Sequence, residues 1–440
     1  MRYPFLPTIV LTFGLFLIFQ TGNVSAQDHF GVDGAPTKWL EHVRPELEKF
    51  MGLVPRLPLL QPLSLSRQAD PDVAACVKWR WPHLKDDALA RALQDAEAVT
   101  ASATVARLVE GTNVILIRPE NQKIIAGWNM DLAKADSPDF FKLALIHETV
   151  RYVLDSRYDI AKRRQACQNA EDWFALEALI EGRAQWVTRQ LARKLGMEES
   201  FPLLAERFVH VPDQDRDPAL RTISQSVVHR RHWAYEKGLA FFEYLENQGL
   251  GDVEKLVFSK PPKLTKWIEE PELYVKAMKS KRPDLATILT KLEKTPPPGN
   301  WMSTQQAWTP EMMIQVGGLI GDQELAKKIA DSLPEGRSLV WSDKNNLGRH
   351  VALTITRFQT SSFAHAYHGL VQDLQGKREE IAKGALNLVK THVKMVGDKG
   401  LENCVIEISW YGIEPDQGWA ERIMALLPAT DHWPLATDSP

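Results

Sequence analysis

The sequence predicts an α+β protein, in which a zincin-like, mainly helical domain with a small sheet is followed by a smaller α/β domain. Three observations support this prediction. Apolar residues recur with a helical period through much of residues 138–249. The run "TNVILIRPE", Thr112 to Glu120, is β-branched and lies between Gly111 and a proline, which predicts a strand. After "TPPPG", Thr295 to Gly299, helical and extended patterns alternate.

The N-terminal pattern is typical of a secretory signal peptide. Arg2 precedes the apolar run "TIVLTFGLFLIF", Thr8 to Phe19, and Val24 and Ala26 occupy the small-residue positions before a cleavage site. We therefore expect a signal peptide over residues 1–26 and an exported mature protein, periplasmic or extracellular. An uncleaved membrane anchor is the alternative, although the run is short for a bilayer span.

The composition is that of a soluble globular protein. Hydrophobic residues make up 44% of the 440 positions and charged residues 25%. The net charge of −3 gives no indication of a nucleic acid or of an anionic membrane as partner. Cys76, Cys167 and Cys404 match no zinc-ligand spacing, and their odd number allows at most one intramolecular disulfide. We expect three small buried residues.

The proline-rich run suggests a division into residues 27–294 and 300–440. In the first part, the pattern predicts a loop over Pro58–Pro71 and the strand named above. It predicts helices from Thr37 to a stop at Gly52, in the first part of Asp86–Gly111, and over Pro138–Leu154, Glu171–Leu195 and Tyr235–Gly249. In the second part, "SLVW", "HVALTITRF" and "CVIEISWYG" are predicted to be strands. Helices are predicted for "PEMMIQVGGLIGDQELAKKIADSL", "SSFAHAYHGLVQDLQ" and "EIAKGALNLVKTHVK".

The helix that begins at Pro138 carries an incomplete metal motif. His147 and Arg151 are four residues apart, so they share one helix face, and Glu148 follows the histidine. In H-E-x-x-H, both histidines bind one zinc ion and the glutamate acts on the metal-bound water. Arginine has no lone pair to give a metal. The string H-E-x-x-R therefore contains the first ligand and the base but lacks the second ligand.

A further carboxylate, Glu181, lies in the largely apolar stretch "ALEALIEGRAQWV". A charged side chain in such a place is seldom buried without a partner, so Glu181 requires a cation. In a peptidase this cation would be zinc, whereas in this chain Arg151 could supply it.

Several segments together resemble the gluzincin-like zinc metallopeptidases of bacterial secreted proteins. "LIHETVRYVLDSRYDI" resembles the H-E-L-x-H-A-L-Q-D-Q-x-F-D-L segment of that family, and "ALIEGRA" resembles its A-L-x-E-G-x-A helix. "YEKGLAFFEYLENQG" and the following "KPPKLTKWI" resemble the Y-x-x-G-x-x-F-V and N-P-P-x-S-T-E-Q-I segments. "GLIGDQELAKKI" and "TITRFQTSSFAHAYHGLVQDL" resemble the trailing α/β portion. The likeness extends from Thr112 towards the C-terminus and is weaker after Gly299.

The resemblance implies a role for each matching position. His147 corresponds to the first zinc ligand, Glu148 to the general base, Glu181 to the last ligand and Tyr235 to a tyrosine near the cleft. Arg151 departs from the pattern at the second ligand. We therefore expect a site without a cofactor, in which Arg151 takes the electrostatic role of the metal, pairing first with Glu181 and also with Glu148. Zinc is the cofactor in the alternative that the protein is active.

Other histidines could complete a ligand set from another element. His229 and His232 lie in "VVHRRHWAYEKG", and His210 lies upstream. A solvated basic turn before the helix is the interpretation we favour for that stretch. His365 and His368 are expected on a helix surface.

Three classes of function remain open. The first, which we favour, is a non-proteolytic pseudoenzyme that binds a peptide or protein in the inherited cleft. The second is an active zinc metallopeptidase with an unusual ligand set, and the third is a structural envelope protein. No G-x-S-x-G string, Walker loop or convincing dinucleotide fingerprint supports another chemistry.

Overall fold

A computed structural model describes most of the chain between residues 36 and 427. The described ranges are 36–54, 56–62, 70–81, 84–167, 170–211, 217–279, 285–310, 312–314, 323–333, 335–382, 388–396 and 403–427. The predicted signal peptide, residues 1–26, lies outside them. The predicted α+β class is confirmed: a mainly helical region contains a small mixed sheet, and a separate antiparallel sheet follows.

The helical region runs from α1 to α12. Its helices are α1 Pro36–Met51, α2 Pro71–Arg80, α3 Asp86–Ser102, α4 Asn121–Ala126, α5 Pro138–Tyr158, α6 Ile160–Ala166, α7 Ala170–Leu195, α8 Leu203–Glu206, α9 Pro218–Asn247, α10 Val253–Ser259, α11 Thr265–Glu269 and α12 Pro271–Lys279. Two 3₁₀ helices, Met130–Asp136 and Glu198–Ser200, lie before α5 and after α7.

The helix with the H-E-x-x-R string, α5, has well-defined ends. The Ser137 side chain accepts a hydrogen bond from the Phe140 amide at 3.4 Å, and Pro138 occupies the first helical position. Asp159, with a φ of 54°, ends the helix in the left-handed region. Most of its residues from 140 to 155 are buried, on all sides, which identifies α5 as a central helix rather than an amphipathic surface helix.

Helices α7 and α9 cross with almost no space between their backbones. A Cβ atom added at Gly238 would lie 2.2 Å from the backbone oxygen of Ala178, and one added at Gly182 would lie 2.3 Å from the carbonyl carbon of Gly238. No real Cβ atom makes such contacts, so both positions require glycine. The close crossing fixes the face of α9 that carries Tyr235 against the face of α7 that carries Glu181.

A small three-stranded sheet packs beside α5. Its strands are β1 Leu59–Pro62, β2 Ala106–Val109 and β3 Val114–Ile117, in the order β1-β3-β2, with β1 parallel and β2 antiparallel to β3. The strand predicted around residues 112–120 is confirmed. The loop predicted over residues 58–71 is wrong at Leu59–Pro62, because pairing with the distant β3 supplies backbone hydrogen bonds that no local pattern reveals.

The second region is built on a five-stranded antiparallel sheet in the order β4-β5-β6-β8-β7. Its strands are β4 Trp301–Ala307, β5 Glu335–Asp343, β6 Asn346–Arg357, β7 Leu388–Val396 and β8 Cys404–Tyr411. Its helices are α13 Leu285–Leu292, α14 Gln323–Asp331, α15 Ser361–Ala382 and α16 Gln417–Leu426.

The three strands predicted from "SLVW", "HVALTITRF" and "CVIEISWYG" are confirmed as β5, β6 and β8. The helix predicted for "EIAKGALNLVKTHVK" is wrong in its second half, which forms β7. This strand pairs with β8 over its length, and the β-branched valines and threonine of "LVKTHVKMV" suit a pleated strand.

The two regions have separate apolar cores. The first core surrounds α5, α7 and α9, and a second lies on the large sheet. Leu285, Ile288, Leu289 and Leu292 of α13 belong to the sheet core, although the sequence suggests a boundary after Lys294. That domain division stays a prediction. Of the helices in the described ranges, none has the length and apolar character needed to span a membrane.

Candidate functional site

Helices α5 and α7 bring the predicted site residues together inside the helical region. His147 Nε2 lies 2.8 Å from Glu181 Oε2, and Arg151 Nη1 lies 3.4 Å from Glu181 Oε1. The same Nη1 lies 3.2 Å from Glu148 Oε2, and Arg151 Nη2 lies 3.2 Å from Glu110 Oε1. We refer to these five residues, Glu110, His147, Glu148, Arg151 and Glu181, as the Arg151 cluster.

Glu148 is held from two directions. Its Oε2 accepts a hydrogen bond from the backbone amide of Leu108 in β2 at 2.8 Å, and the same oxygen faces the guanidinium of Arg151. The carboxylate therefore connects the edge of the small sheet to α5. Both partners hold this carboxylate in place, whereas a general base needs an oxygen that can accept a proton from water.

A second layer of ion pairs surrounds the cluster. Arg164 contacts both Asp72 and Glu110, with Nε 2.9 Å from Glu110 Oε2. Arg231, from α9, contacts Asp70, which also lies 3.6 Å from Arg107. Glu110 contacts both Arg151 and Arg164, and the Asp72 amide donates to Asp70. The two layers therefore form one continuous network that joins six segments: α2, the end of β2, α5, α6, α7 and α9.

The charges in this network stabilise one another. Burial disfavours the charged form of Arg151, but Glu181, Glu148 and Glu110 outweigh it and raise the pKa of the guanidinium. Burial would likewise raise the pKa of Glu181, yet Arg151 and His147 hold it well below its ordinary value. Glu181 is therefore a carboxylate and can only accept a hydrogen bond. The contact with His147 thus requires the tautomer that carries a hydrogen on Nε2.

Two nearby acids have the opposite shift. Burial, only partly offset by Arg164, raises the pKa of Asp72 to about 6. Burial, reinforced by the charge of Asp72, raises the pKa of Glu177 in α7 to about 8. The network thus contains acids that favour the ionised form and acids that favour the protonated form.

Tyr235 covers the cluster from α9. Its ring is stacked on that of His147, with centroids 5.0 Å apart and an interplanar angle of 19°. The guanidinium of Arg207 lies 5.7 Å from the centroid of the same tyrosine ring. Burial and then the charge of Glu181 raise the pKa of Tyr235, which keeps its hydroxyl protonated.

The site is closed to solvent. The exposed fraction is 1% for His147, 3% for Glu148, Glu181 and Tyr235, and 5% for Arg151. These side chains therefore lie in the interior of the helical region.

The side chains at this site do not fit a zinc ion. A catalytic zinc needs three protein ligands and an open position for water. Here the guanidinium of Arg151 lies 3.4 Å from Glu181, so a dication bound to Glu181 would face a fixed positive charge. The buried Nδ1 of His147 has no hydrogen-bond partner within the described ranges. Among the residues described, no group of three or more His, Cys, Asp or Glu side chains is arranged to hold a metal.

The other candidate histidines take part in different contacts. His210 Nδ1 lies 3.0 Å from Asn129 Nδ2, and His232 Nε2 lies 3.6 Å from Glu236. His229 is exposed on α9, and His365 is exposed and donates from Nδ1 to the Ser361 carbonyl at 2.7 Å. The solvated turn predicted over residues 227–234, before the helix, is wrong, because α9 is continuous from Pro218 to Asn247.

Several members of the network are absent from the sequence-based prediction: Asp70, Asp72, Glu110, Arg164 and Arg231. The sequence could have indicated Arg231, because it is four residues before Tyr235 and therefore lies on the same face of α9. The acids of residues 70–110 come from other segments, and only the tertiary fold places them near Arg151. Cys76, Cys167 and Cys404 carry thiols rather than disulfides. Burial raises the pKa of Cys76 to about 12 and that of Cys167 to about 11.

Comparisons with models of known protein families, with curated proteins and with solved structures give no match for this chain.

Proposed function

We propose that the protein is an exported, gluzincin-like pseudoenzyme in which Arg151 takes the electrostatic place of a zinc ion, and that it acts by binding a peptide or protein rather than by hydrolysis. One observation carries this proposal: a single guanidinium nitrogen lies within 3.4 Å of carboxylate oxygens of both Glu148 and Glu181. In an intact H-E-x-x-H site those two carboxylates would be the base and a metal ligand.

Charge balance supports the substitution. Two buried carboxylates without a cation would each cost several kcal/mol, and an arginine can neutralise them through fixed hydrogen bonds. The site therefore keeps the negative side chains of a metal centre and their neutralisation. It lacks what hydrolysis needs, because a guanidinium cannot activate water as a Lewis acid.

Binding at the motif itself is not supported by the geometry. His147, Arg151 and Tyr235 are buried, so the surface that contacts a partner lies elsewhere on the protein. The Arg151 cluster then has a structural role, because it holds α5, α7 and the small sheet together.

Metal analysis of the mature protein tests the proposal. After equilibration with zinc and dialysis, we expect far less than one zinc ion per chain by plasma mass spectrometry, and no hydrolysis of unfolded protein substrates. One tightly held zinc ion per chain would contradict the proposal and would favour the alternative of an active metallopeptidase.

The variant Arg151→His restores the H-E-x-x-H string. If the scaffold is that of a zincin, the variant gains a zinc affinity that the wild type lacks, measured by competition with a chromophoric chelator. Arg193→His is the matched control, because Arg193 lies at the exposed end of the same α7 that carries Glu181. Equal zinc binding by both variants would show that residues 147, 151 and 181 are not arranged as the ligands of a zinc site.

A further inference from the structure

A cavity of about 540 Å³ lies where the helical region meets the large sheet. One side is formed by residues 259–278, from the end of α10 to α12. The other side is formed by Glu335 at the start of β5, residues 357–359 after β6, and Asn403 before β8. Its volume is in the range of small-molecule sites, which often lie between two structural units. None of the Arg151 cluster lines it.

The walls of this cavity are apolar and firmly held. Trp267, Tyr274 and Phe358 line it and are 8%, 1% and 2% exposed. The hydroxyl of Tyr274 donates to the Lys260 carbonyl at 2.7 Å, which fixes the ring. Leu273 and Met278 add aliphatic surface. The three rings are covered almost completely by the protein, so the apolar body of a ligand would be desolvated mainly against the half-buried Leu273 and Met278.

The charges that line the cavity are mostly positive. Three lysines contribute, Lys260, Lys263 and Lys276. Glu335 supplies the negative charge, but its Oε2 pairs with Arg357 at 2.8 Å and its Oε1 accepts from the Leu285 amide at 2.8 Å. The carboxylate is thus neutralised within the protein, and the exposed Lys260 and Lys276 leave a positive potential for a ligand.

We infer that this cavity binds a small organic carboxylate with an apolar body, either an acyl chain or the C-terminal carboxylate of a peptide with an apolar last residue. The half-buried aliphatic side chains accept the body, and Lys260 and Lys276 attract the carboxylate. This inference is independent of the Arg151 cluster, so either can fail without the other.

Two fluorescent probes separate the two halves of the inference. Anilinonaphthalene sulfonate is an aromatic anion, and phenylnaphthylamine has the same aromatic body without the charge. We expect saturable binding of the anion to the full mature chain with one site, and weaker binding of the neutral probe. Equal affinity of the two probes would overturn the inference, because the lysines would then contribute nothing.

Charge reversal locates the site. The double variant Lys260→Glu, Lys276→Glu should weaken the anionic probe about tenfold or more, as expected for two lost attractions that become repulsions. The neutral probe should be unaffected. Lys38→Glu with Lys123→Glu is the control, since both lysines are exposed on α1 and α4. An equal loss in the control variant, or no loss in the test variant, would contradict the assignment.

A cavity-filling variant gives an independent measurement. Ala277 lines the cavity, and Ala277→Trp should reduce the binding of both probes while the protein still unfolds cooperatively. Displacement of the anionic probe by dodecanoate indicates an acyl carboxylate, and displacement by a blocked tripeptide ending in phenylalanine indicates a peptide carboxylate. Displacement by neither, or displacement by the tripeptide amide to the same extent, would refute a carboxylate ligand.

Discussion

The helical region and the large sheet bury very different side chains. Around α5 the interior contains Arg151 with its carboxylates, whereas the sheet core contains three tryptophans. The rings of Trp341 and Trp419 are edge-to-face with centroids 5.3 Å apart, and those of Trp410 and Trp419 are 6.4 Å apart. Both interiors are tightly closed. The apolar cluster on the sheet is held by hydrophobic packing, whereas the interior around α5 depends on matched charges.

The two interiors lose stability in different ways. An apolar core that loses a side chain retains a cavity, at a cost set by the lost packing. A charged interior that loses one partner retains an uncompensated charge, and the cost then depends on pH.

The largest effect should follow Arg151→Ala. Glu148 and Glu181 would keep their burial without their shared cation, so the free energy of unfolding should fall by about 4 kcal/mol. Urea unfolding at neutral pH measures the loss. The control Arg193→Ala removes a half-exposed pair with Glu198 and should cost less than about 1 kcal/mol. Similar losses in both variants would show that the cluster is not a buried charge network.

Trp419→Ala should cost about 3 kcal/mol, because it leaves a cavity between Trp341 and Trp410. Here the expected loss is the same at acidic and neutral pH, in contrast to the loss in the Arg151 variant. Unfolding curves at two pH values decide the matter. A loss that changes with pH would remove the distinction between the two interiors.

Gly238→Ala should cost about 1–3 kcal/mol, because the added methyl group meets the backbone of α7. Gly369→Ala is the matched control in α15, where an added Cβ has no neighbour within 4 Å. That control should be neutral or stabilising by up to about 1 kcal/mol, since alanine favours helix. Thermal unfolding compares them, and equal behaviour would disprove the close helix crossing.

The last prediction concerns Glu177 and the change of stability with pH rather than the stability at one pH. Its pKa rises to about 8 in the folded state from 4.5, so folding favours the protonated form. This contribution to the free energy of unfolding is complete at pH values below 4.5, the pKa of Glu177 in the unfolded chain. It is lost as the pH rises through about 8, the pKa in the folded protein. The slope is at most about 1.4 kcal/mol per pH unit.

Glu177→Gln should remove that slope between a pH of about 5 and 8, because glutamine is always neutral. Urea unfolding across this range measures the difference between the variant and the wild type. Glu181 acts in the opposite direction: its lowered pKa gives stability above 4.5 that is lost as the pH falls. An unchanged slope in the glutamine variant would assign the pH dependence to other groups.

The sequence predicted the elements with strong local patterns. The caps at Ser137 and the buried strands β5, β6 and β8 follow from local patterns of residue type. The long helix α9 was predicted only in its second half, since "VVHRRHW" is rich in charge. Its buried Arg231 finds Asp70 far along the chain, and a local pattern cannot reveal such a partner.

The site was predictable to the extent that it lies on two helices. Helical spacing placed His147 and Arg151 on one face, and the isolated charge of Glu181 in an apolar stretch indicated a buried cation. The acids Asp72 and Glu110 and the arginine Arg164 were not predictable, because their proximity to Arg151 depends on how α2, β2 and α6 pack. The division of the chain near Lys294 stays a prediction.

The hydrogen bond from the Leu108 amide to Glu148 occupies one backbone donor at the edge of the small sheet. Strand β2 is an outer strand, and an extended peptide usually adds to such a strand through its free amides and carbonyls. At Leu108 the amide is already occupied by a side chain of the same molecule. A foreign strand would have to displace that carboxylate before it could pair there, which also protects the protein from self-association at this edge.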